Sequence, residues 1–343
     1  MTVSRMWAVR MTNGSNASSG EDSLIARYFK PIATDPGAFG LQDDAAIFRA
    51  DGDDIVVTTD AVVEGVHFLP DDAPETLARK ALRVNLSDLA AKGARPAGFL
   101  LSLALPTGVS ERWLKGFARG LGADAKRYGC PLMGGDTDRT PGPITIAISA
   151  FGTLPKGTMV KRSGAKVGDR VVVSGSIGDA ALGLMLRRSA SSVRHWKLST
   201  AMRKHLLGRY LLPEPRNAVA EILRAHASAA MDVSDGLVGD LTKLCSASGV
   251  AAEIEAARVP LSPAARKALA ADGKLMETIL TGGDDYEIVA TVAPDRLTAL
   301  RARALAAGVA FTEIGEVTRG KGARFIGPDG KTLGFKRLSF SHF

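Results

Sequence analysis

Six short acidic segments, each with carboxylates beside Gly, Ser or Thr, are spread over most of this 343-residue chain. Carboxylates that a fold brings together repel one another unless a cation lies between them. A hard divalent ion with oxygen ligands, best matched by Mg²⁺, relieves that repulsion, and Mg²⁺ is usually shared between carboxylates and substrate phosphates. Any one segment alone is better explained as an ordinary turn or cap, but the six together predict phosphoryl transfer on a nucleotide. They are Asp43-Asp44, Thr58-Thr59-Asp60, Asn85-Leu86-Ser87-Asp88, Gly134-Gly135-Asp136, Asp232-Val233-Ser234-Asp235-Gly236 and Gly282-Gly283-Asp284-Asp285.

The length and composition predict a two-domain α/β protein. Apolar residues make up 45% of the chain and charged residues 23%, which is typical of a soluble fold. No apolar run approaches the ~20 residues that a membrane helix needs. Without such a run, no membrane partner is expected. Residues 1–20 lack the apolar core of a signal peptide and are predicted to be a flexible leader. Cys130 and Cys245 have no metal-binding spacing, so we expect buried thiols in a reducing cytoplasm.

The net charge of +8 does not by itself predict a nucleic-acid partner. Residues 187–209 hold seven Lys/Arg, two His and no acid, which favours a solvated basic helix, with attraction for phosphorylated ligands as the second interpretation. Aromatic residues are only 6% of the chain, and no base-stacking platform is evident.

Strands and helices mix in both halves of the chain. Strands are predicted at 53–59, 99–105, 144–151, 170–174 and 286–292. Helices are predicted from Pro74 to about Gly93 and from an N-cap at Ser110 to Gly129, then at 178–188, 214–226, 234–248 and 294–307. The Pro/Gly-rich stretch 154–168 separates an N-terminal domain, 21–153, from a C-terminal domain, 154–343.

Asp88 is a carboxylate in the apolar stripe of a predicted helix. At 100° per residue it shares an apolar stripe with Leu77, Ala81 and Val84, while Arg79, Lys80, Arg83 and Ser87 take the opposite face, which is predicted to be wet. A charge in the apolar stripe needs a partner. A metal ion, an arginine or a cluster of backbone N–H groups would serve.

Other segments leave binding and structural roles open. Strand alternation predicts that Thr58 and Asp60 share one face and Thr59 takes the other. Ser234 is a candidate N-cap whose helix would offer bare N–H groups to a phosphate. Gly134-Gly135-Asp136-Thr137 allows close backbone approach, and Arg162 is able to fork onto a phosphate. The chain lacks the P-loop, protein-kinase, dinucleotide-binding and nucleophile-elbow motifs.

These segments, in order, resemble the thiamine-monophosphate kinase family over roughly residues 21 to 343. The likeness rests on Asp43-Asp44-Ala45-Ala46, Thr58-Thr59-Asp60, Gly65-Val66-His67-Phe68, Asn85-Leu86-Ser87-Asp88-Leu89-Ala90-Ala91, Gly134-Gly135-Asp136-Thr137, Lys161-Arg162-Ser163-Gly164-Ala165, Asp232-Val233-Ser234-Asp235-Gly236-Leu237 and Gly282-Gly283-Asp284-Asp285-Tyr286-Glu287. The resemblance implies the two-domain fold of aminoimidazole ribonucleotide synthetase relatives, an N-terminal sheet that pairs across a homodimer, and a cleft for ATP and several Mg²⁺ ions.

The resemblance also implies roles for single residues. Asp60, Asp88, Asp136 and Asp232 correspond to the catalytic carboxylates. The metal shell would be Asp44, Thr58, Thr59, Asp60, Asp88, Asp136, Asp232 and Asp235. ATP contacts would be Gly135, Asp136, Arg162 and Ser234, and substrate contacts His67, Asp284 and Phe335. The family often has Glu in place of Asp284, and Trp or Tyr in place of Phe335.

The implied activity is ATP- and Mg²⁺-dependent phosphorylation of thiamine monophosphate by direct in-line transfer, in a cytoplasmic homodimer. One alternative is another ATP-dependent synthetase of the same superfamily. A selenophosphate synthetase would want a reactive Cys near the N-terminus, and a hydrogenase-maturation relative would want a C-terminal one. This chain has no Cys before Cys130 and ends Ser341-His342-Phe343. The other alternative is a nucleotide-binding sensor, which needs fewer carboxylates than a catalyst.

Overall fold

The computed structural model describes residues 24–36, 38, 50–189 and 193–340. It contains two mixed α/β units, each with its own sheet and apolar core. The predicted two-unit α/β fold is therefore confirmed, while the dimer pairing stays a prediction, as does a domain boundary at residue 153. The predicted leader and the pair Asp43-Asp44 lie outside the described residues.

The first unit contains a four-stranded sheet with two helices on one face. Its elements are β1 (Asp54–Val63), α1 (Pro74–Ala91), β2 (Arg95–Leu105), α2 (Glu111–Tyr128), β3 (Leu132–Arg139) and β4 (Thr145–Leu154). The strand order is β1-β4-β2-β3. β2 and β3 are parallel because α2 crosses over between them, whereas β4 is antiparallel to β1 and β2. Both helices contribute to the core beneath the sheet.

The other face of this first sheet is apolar and exposed. Ile55 and Val57 on β1 are 46% and 60% exposed, and Leu100 on β2 is 37% exposed. Strand alternation sends these three residues away from the helices. A sheet that buries one face against helices and leaves branched aliphatic residues on the other has a surface suited to a partner.

The second unit contains a six-stranded sheet in the order β10-β7-β9-β5-β8-β6. Apolar clusters cover both of its faces. Only β10 and β7 are parallel; the other described pairs are antiparallel. Its elements are β5 (Arg170–Ser174), α3 (Asp179–Arg188), α4 (Thr200–Leu211), α5 (Ala220–His226), β6 (Ala227–Val233), α6 (Leu237–Ser248), β7 (Ala251–Glu255), α7 (Pro263–Ala271), α8 (Leu275–Thr281), β8 (Glu287–Val292), α9 (Pro294–Ala306), β9 (Phe311–Thr318) and β10 (Gly322–Ile326).

Local sequence signals place the ends of the first two helices. Pro74 occupies the first turn of α1, where its missing N–H costs nothing. The Ser110 Oγ accepts a hydrogen bond from the Trp113 N–H at the start of α2. Gly129 ends α2 in the left-handed conformation at φ 59°. Within the described range, no helix combines the length and apolar content needed to cross a bilayer.

The predicted wet face of α1 is wrong. Leu77, Ala81 and Val84 are buried in the first unit, as predicted. Lys80 and Arg83, however, are only 3% and 1% exposed. The second unit packs on that side of the helix, and Arg83 donates to the Pro213 carbonyl and to Glu214 there. Helix α1 is therefore buried on two sides, which the periodicity of an isolated amphipathic helix does not reveal.

The basic stretch 187–209 is also more than a solvated helix. Arg187 pairs with Asp71 and Asp72, at 2.8 Å and 2.7 Å. Arg209 pairs with the buried Glu287 on β8 at 2.9 Å. Several of its cations thus hold elements together, including a tie from α3 to the loop that precedes α1.

Candidate active-site cleft

A cleft of about 660 Å³ lies between the two units. On one side it is bounded by β1 and α1, and on the other by α3, the loop after β6, and the segment between α8 and β8. Four of the six acidic segments meet here. The predicted site residues that line it are Asp60, His67, Asp88, Arg162, Asp232, Ser234, Asp235 and Asp284.

The first unit supplies two carboxylates from neighbouring elements. Thr58 and Asp60 share the face of β1 that lies toward α1, as alternation predicts. The Thr58 hydroxyl donates to Asp88 Oδ2 at 2.6 Å, and the Asp60 backbone N–H donates to Asn85 Oδ1 at 3.0 Å. Asn85 and Asp88, about one turn apart on α1, therefore fix this part of β1.

Two of the cleft aspartates, Asp60 and Asp232, have a raised pKa. Asp60 opens to the cleft, yet partial burial and then the charges of Asp88 and Asp235 raise its pKa from 3.8 to about 6. Asp232, at the end of β6, is 4% exposed. Burial, followed by the charges of Asp88 and Asp240, raises its pKa well above the usual range. Both shifts indicate negative charge that lacks a sufficient countercharge.

This arrangement fits a hard divalent cation, but one whose shell is completed from outside the protein. Within the described part of the chain, no three His, Cys, Asp or Glu side chains are close enough to hold one ion by themselves. The donors in the cleft are carboxylate oxygens, with the Thr58 hydroxyl bound to one of them. Mg²⁺ commonly takes only one or two protein carboxylates and finds its remaining oxygens on water and phosphate.

The loop after β6 corrects one prediction. Helix α6 begins at Leu237, later than the predicted Ser234, and its N-cap is Gly236 at φ 124°. The backbone N–H groups of residues 234, 235 and 236 all donate to Asp240 Oδ2, at 3.0, 2.9 and 3.2 Å. These donors are not bare, because an internal carboxylate already fills the position predicted for a phosphate. Ser234 itself still lines the cleft.

Asp235 has a cationic partner within the protein. Lys243 Nζ lies 2.6 Å from Asp235 Oδ2 and 2.9 Å from Asp240 Oδ1. Asp240 is fully buried. The pair Asp240–Lys243 thus holds the loop from within, while Asp232 and Asp235, the latter also bound by Lys243, line the cleft.

Thr59, Gly135 and Asp136 are not brought into the cleft. Thr59 faces the opposite side of β1, where it donates to the Ile148 carbonyl and accepts from Ser149. Gly135 and Asp136 lie on β3, at the far edge of the sheet from β1. A Cβ at Gly135 would fall 1.8 Å from the Leu101 carbonyl oxygen, so strand pairing alone requires glycine there.

Phe335 is likewise not brought into the cleft. The Phe335 ring packs edge-to-face on Phe325, with 5.8 Å between ring centroids, and it is not a lining residue of the cleft. Phe340 does line it. Asp44 lies outside the described residues.

Three arginines line the cleft, and within the described residues their guanidinium groups have no hydrogen-bonded or ionic partner. Arg162 was predicted; Arg188, at the end of α3, and Arg337, near the C-terminus, were not. Unpaired guanidinium groups in a cleft are well suited to phosphate. No local pattern marks Arg188 or Arg337, since each reaches the cleft only through tertiary packing.

The segment between α8 and β8 divides its two aspartates. Asp284 lines the cleft, whereas Asp285 is fully buried and accepts from the Gly178 and Ala180 N–H groups at 2.6 and 3.3 Å, capping α3. Tyr286, which sequence reasoning did not assign, also lines the cleft. Asp284 and Tyr286 adopt left-handed backbone conformations at φ 73° and 49°, which are uncommon for such residues and often found at functional sites.

Comparison with known families first defines the class. Residues 42–154 match the N-terminal domain of AIR synthase related proteins, and residues 166–327 match the C-terminal domain. Structures of the hydrogenase maturation protein HypE share this fold at 19–21% identity. The chain thus has the two-domain fold of AIR synthase related proteins.

Closer relatives narrow the class. The thiamine-monophosphate kinase of Caulobacter vibrioides is 43% identical over 87% of this chain and 84% of the relative. The thiamine-monophosphate kinase of Salmonella typhimurium is 40% identical over 94% of this chain and 98% of the relative. The crystal structure of thiamine-monophosphate kinase from Stenotrophomonas maltophilia is 38% identical, with a TM-score of 0.81 over 92% and 98% of the two chains. The structure of AaThiL complexed with AMPPCP and TMP is 32% identical, with a TM-score of 0.75 over 90% and 97%. The chain belongs to the thiamine-monophosphate kinase family.

Proposed function

We propose that this protein transfers the γ-phosphoryl group of ATP to the phosphate of thiamine monophosphate, with Mg²⁺, in the cytoplasm. The products are thiamine diphosphate and ADP. The observation that supports the proposal best is the cleft itself, in which carboxylates from both units face one another beside the unpaired Arg162. A relative of 32% identity has been solved with AMPPCP and TMP, which supports a nucleotide and a phosphorylated acceptor in the same cleft.

The cleft carboxylates would hold the ions. Asp60 and Asp88 from the first unit and Asp232 and Asp235 from the second are proposed ligands, with Thr58 bound to Asp88. Bound Mg²⁺ would neutralise the phosphate oxygens and align them. Thr59 and Asp136 stay predicted ligands without support from their placement, and Asp44, outside the described residues, stays a predicted ligand.

Our proposed mechanism needs no strong general base. An oxygen of the acceptor phosphate is already anionic at neutral pH, so it attacks the γ-phosphorus directly. The new O–P bond forms as the bond to the β-phosphate oxygen breaks, and ADP departs with that electron pair. The protein positions two phosphates and supplies charge, with Arg162 as the proposed phosphate contact.

The other predicted contacts differ in how far the geometry of the cleft supports them. His67 and Asp284 line the cleft and are proposed acceptor contacts. Ser234 is a proposed nucleotide contact through its side chain only, because its N–H is taken by Asp240. Gly135 and Phe335 stay predictions that the geometry of one subunit does not support.

Product analysis tests the reaction. With ATP and Mg²⁺, thiamine monophosphate should yield thiamine diphosphate and ADP in equal amounts. Chromatography measures both products. Free thiamine should be a poor acceptor, because its hydroxyl needs a base and places no phosphate among the carboxylates. ATP consumption with an aminoimidazole precursor or selenide, but none with thiamine monophosphate, would show that the substrate is wrong. Tight ATP binding without turnover on any acceptor would favour a sensor.

We also propose a homodimer formed by the exposed face of the first sheet, defined by Ile55, Val57 and Leu100. Light scattering at micromolar concentration should give twice the chain mass. Val57→Lys should give a monomer, because burying an unpaired ammonium in the interface is prohibitive. Val167→Lys is a matched control, since Val167 is similarly exposed but lies outside the sheet. A fully active monomeric wild type would remove this proposal.

A further inference from the structure

Lys80 is a buried lysine on α1 whose ammonium joins both sides of the cleft. Its side chain is 4% exposed. Its Nζ donates to the His67 carbonyl at 3.0 Å and to Asp284 Oδ2 at 2.8 Å, and it lies 4.2 Å from the centre of the Tyr210 ring. A strongly hydrated ammonium is buried in this way only when its partners replace water. Lys80 does not itself line the cleft.

Two partners of Lys80 bound the same part of the cleft. His67 follows β1, and its Nδ1 accepts from the Val63 N–H at 3.0 Å. Asp284 comes from the second unit, and its N–H donates to the Ser234 carbonyl at 2.8 Å. Its left-handed backbone is held by these contacts rather than by its own preference. Lys80 therefore connects two segments that sequence separates by more than 200 residues.

The two oxygens of Asp284 have different surroundings. Oδ2 is bound by Lys80, whereas within the described residues Oδ1 accepts no hydrogen bond. The side chain is 25% exposed, and it faces the cleft. Fixing one oxygen directs the other toward whatever occupies the cleft. An unsatisfied carboxylate oxygen selects a ligand group that carries a positive charge or an N–H donor.

We propose that Lys80 is a positioning residue for the acceptor: it holds Asp284 and the His67 segment so that Asp284 Oδ1 meets a cationic or N–H-bearing ring of the acceptor. This inference rests on the proposed function and extends it to acceptor specificity. Lys80 contacts neither reacting phosphate in this arrangement. Its loss should therefore affect acceptor binding before it affects nucleotide binding.

Arg83 offers a matched comparison on the same helix. It is buried like Lys80, and it joins the two units through Asp124 and Glu214. None of these three residues lines the cleft. A lysine that merely tied the units together would behave as Arg83 does.

The experiment compares Lys80→Met and Arg83→Met. For each variant, KM and kcat are measured separately for thiamine monophosphate and for ATP, together with the melting temperature. Lys80→Met should raise the KM for the acceptor at least about tenfold, and that for ATP by less than about threefold, because only the acceptor contacts are displaced. Arg83→Met should lower the melting temperature and leave the ratio of the two KM values unchanged. Equal changes in both KM values for Lys80→Met would overturn the inference. So would a lower melting temperature with both KM values unchanged.

Asp284→Asn keeps the inference testable if Lys80→Met does not fold. It removes the charge that Lys80 holds, from a side chain that is partly exposed. The acceptor KM should rise in this variant as well, and an unchanged value would overturn the proposal. In the double variant, the effects should not add, because both changes remove one interaction.

Calorimetric titration with thiamine monophosphate separates this inference from the proposed reaction. If the wild type binds the acceptor without turning it over, the reaction is wrong, and Lys80 is judged from the dissociation constants. Weaker acceptor binding in Lys80→Met, with unchanged binding in Arg83→Met, would then support the positioning role. Equal affinities in all three proteins would reject it.

Discussion

Replacing Asp88 by asparagine is expected to lower kcat/KM by about 10²–10³-fold, because the proposed ion loses one of its anionic ligands. The metal-free protein should melt at the same or a higher temperature. The amide side chain would keep an oxygen that accepts from Thr58, while the repulsion that Asp88 exerts on Asp60 and Asp232 is relieved. Activity and metal-free melting should thus move in opposite directions. Steady-state kinetics and calorimetry check the two parts.

The pH dependence of melting gives a second signature of the same change. The folded-state pKa of Asp60 is raised to about 6 from 3.8 by burial and then by Asp88 and Asp235. The folded state therefore binds this proton more tightly than the unfolded state does. The resulting stability is present below the unfolded pKa and is lost as pH rises through the folded pKa. Without the Asp88 charge, the pKa of Asp60 falls, and the metal-free variant should lose less stability across that range.

Asp124→Asn is the control for the Asp88 variant. Asp124 is a buried carboxylate that pairs with Arg79 and Arg83, away from the cleft. Its replacement should cost about 3–5 kcal/mol of stability, because it leaves a buried guanidinium poorly paired. Its response to Mg²⁺ should be kept. If Asp88→Asn behaved like this control, Asp88 would be a structural residue and not a ligand.

Asp240→Ala should destabilise the protein by about 3–5 kcal/mol and abolish activity together. The carboxylate is fully buried, and its removal leaves three backbone N–H groups without an acceptor. Lys243 would also lose one of its two carboxylates. The loop that carries Asp232 and Asp235 should then lose its shape. Urea unfolding and calorimetric titration with Mg²⁺ and an ATP analogue measure the two effects.

Thr242→Ala is the matched control for Asp240. The Thr242 hydroxyl donates to the Val238 carbonyl within α6 and does not touch the loop. Its loss should change stability by less than about 1 kcal/mol and leave activity intact. An Asp240→Ala protein that is as stable and as active as this control would mean that the loop holds its own shape.

Periodicity predicted what one element shows by itself. Leu77, Ala81 and Val84, the apolar members of the Asp88 stripe, are buried, and the alternation of Thr58 and Asp60 on β1 is present. These features depend on a single helix or strand and its nearest neighbour, so sequence spacing is enough to find them. The two-unit fold followed from chain length and composition and from the Pro/Gly-rich stretch 154–168.

The failures arise where another part of the chain packs against the segment. Lys80 and Arg83 were predicted to be solvated because they lie opposite the apolar stripe of α1. No local pattern shows that the second unit covers that polar side. Gly135 was predicted to contact a ligand. Its glycine is instead required because β2 passes too close for a side chain. The role of Asp240 depends on a local contact, since it lies only four residues after Gly236. The sequence nevertheless does not distinguish a carboxylate that accepts from three preceding N–H groups from any other acidic residue in a helix.

Helix α1 has a consequence for how this architecture tolerates recombination. By position it belongs to the first unit, yet Ala90 and Ala91 lie in the apolar cluster that covers one face of the second sheet. The second unit thus depends on the first for part of its interior. A chimera joined between residues 155 and 169 would inherit one helix with two sets of packing partners from different parents. Exchange among relatives is therefore constrained less by the short connecting segment than by a helix more than sixty residues upstream of it.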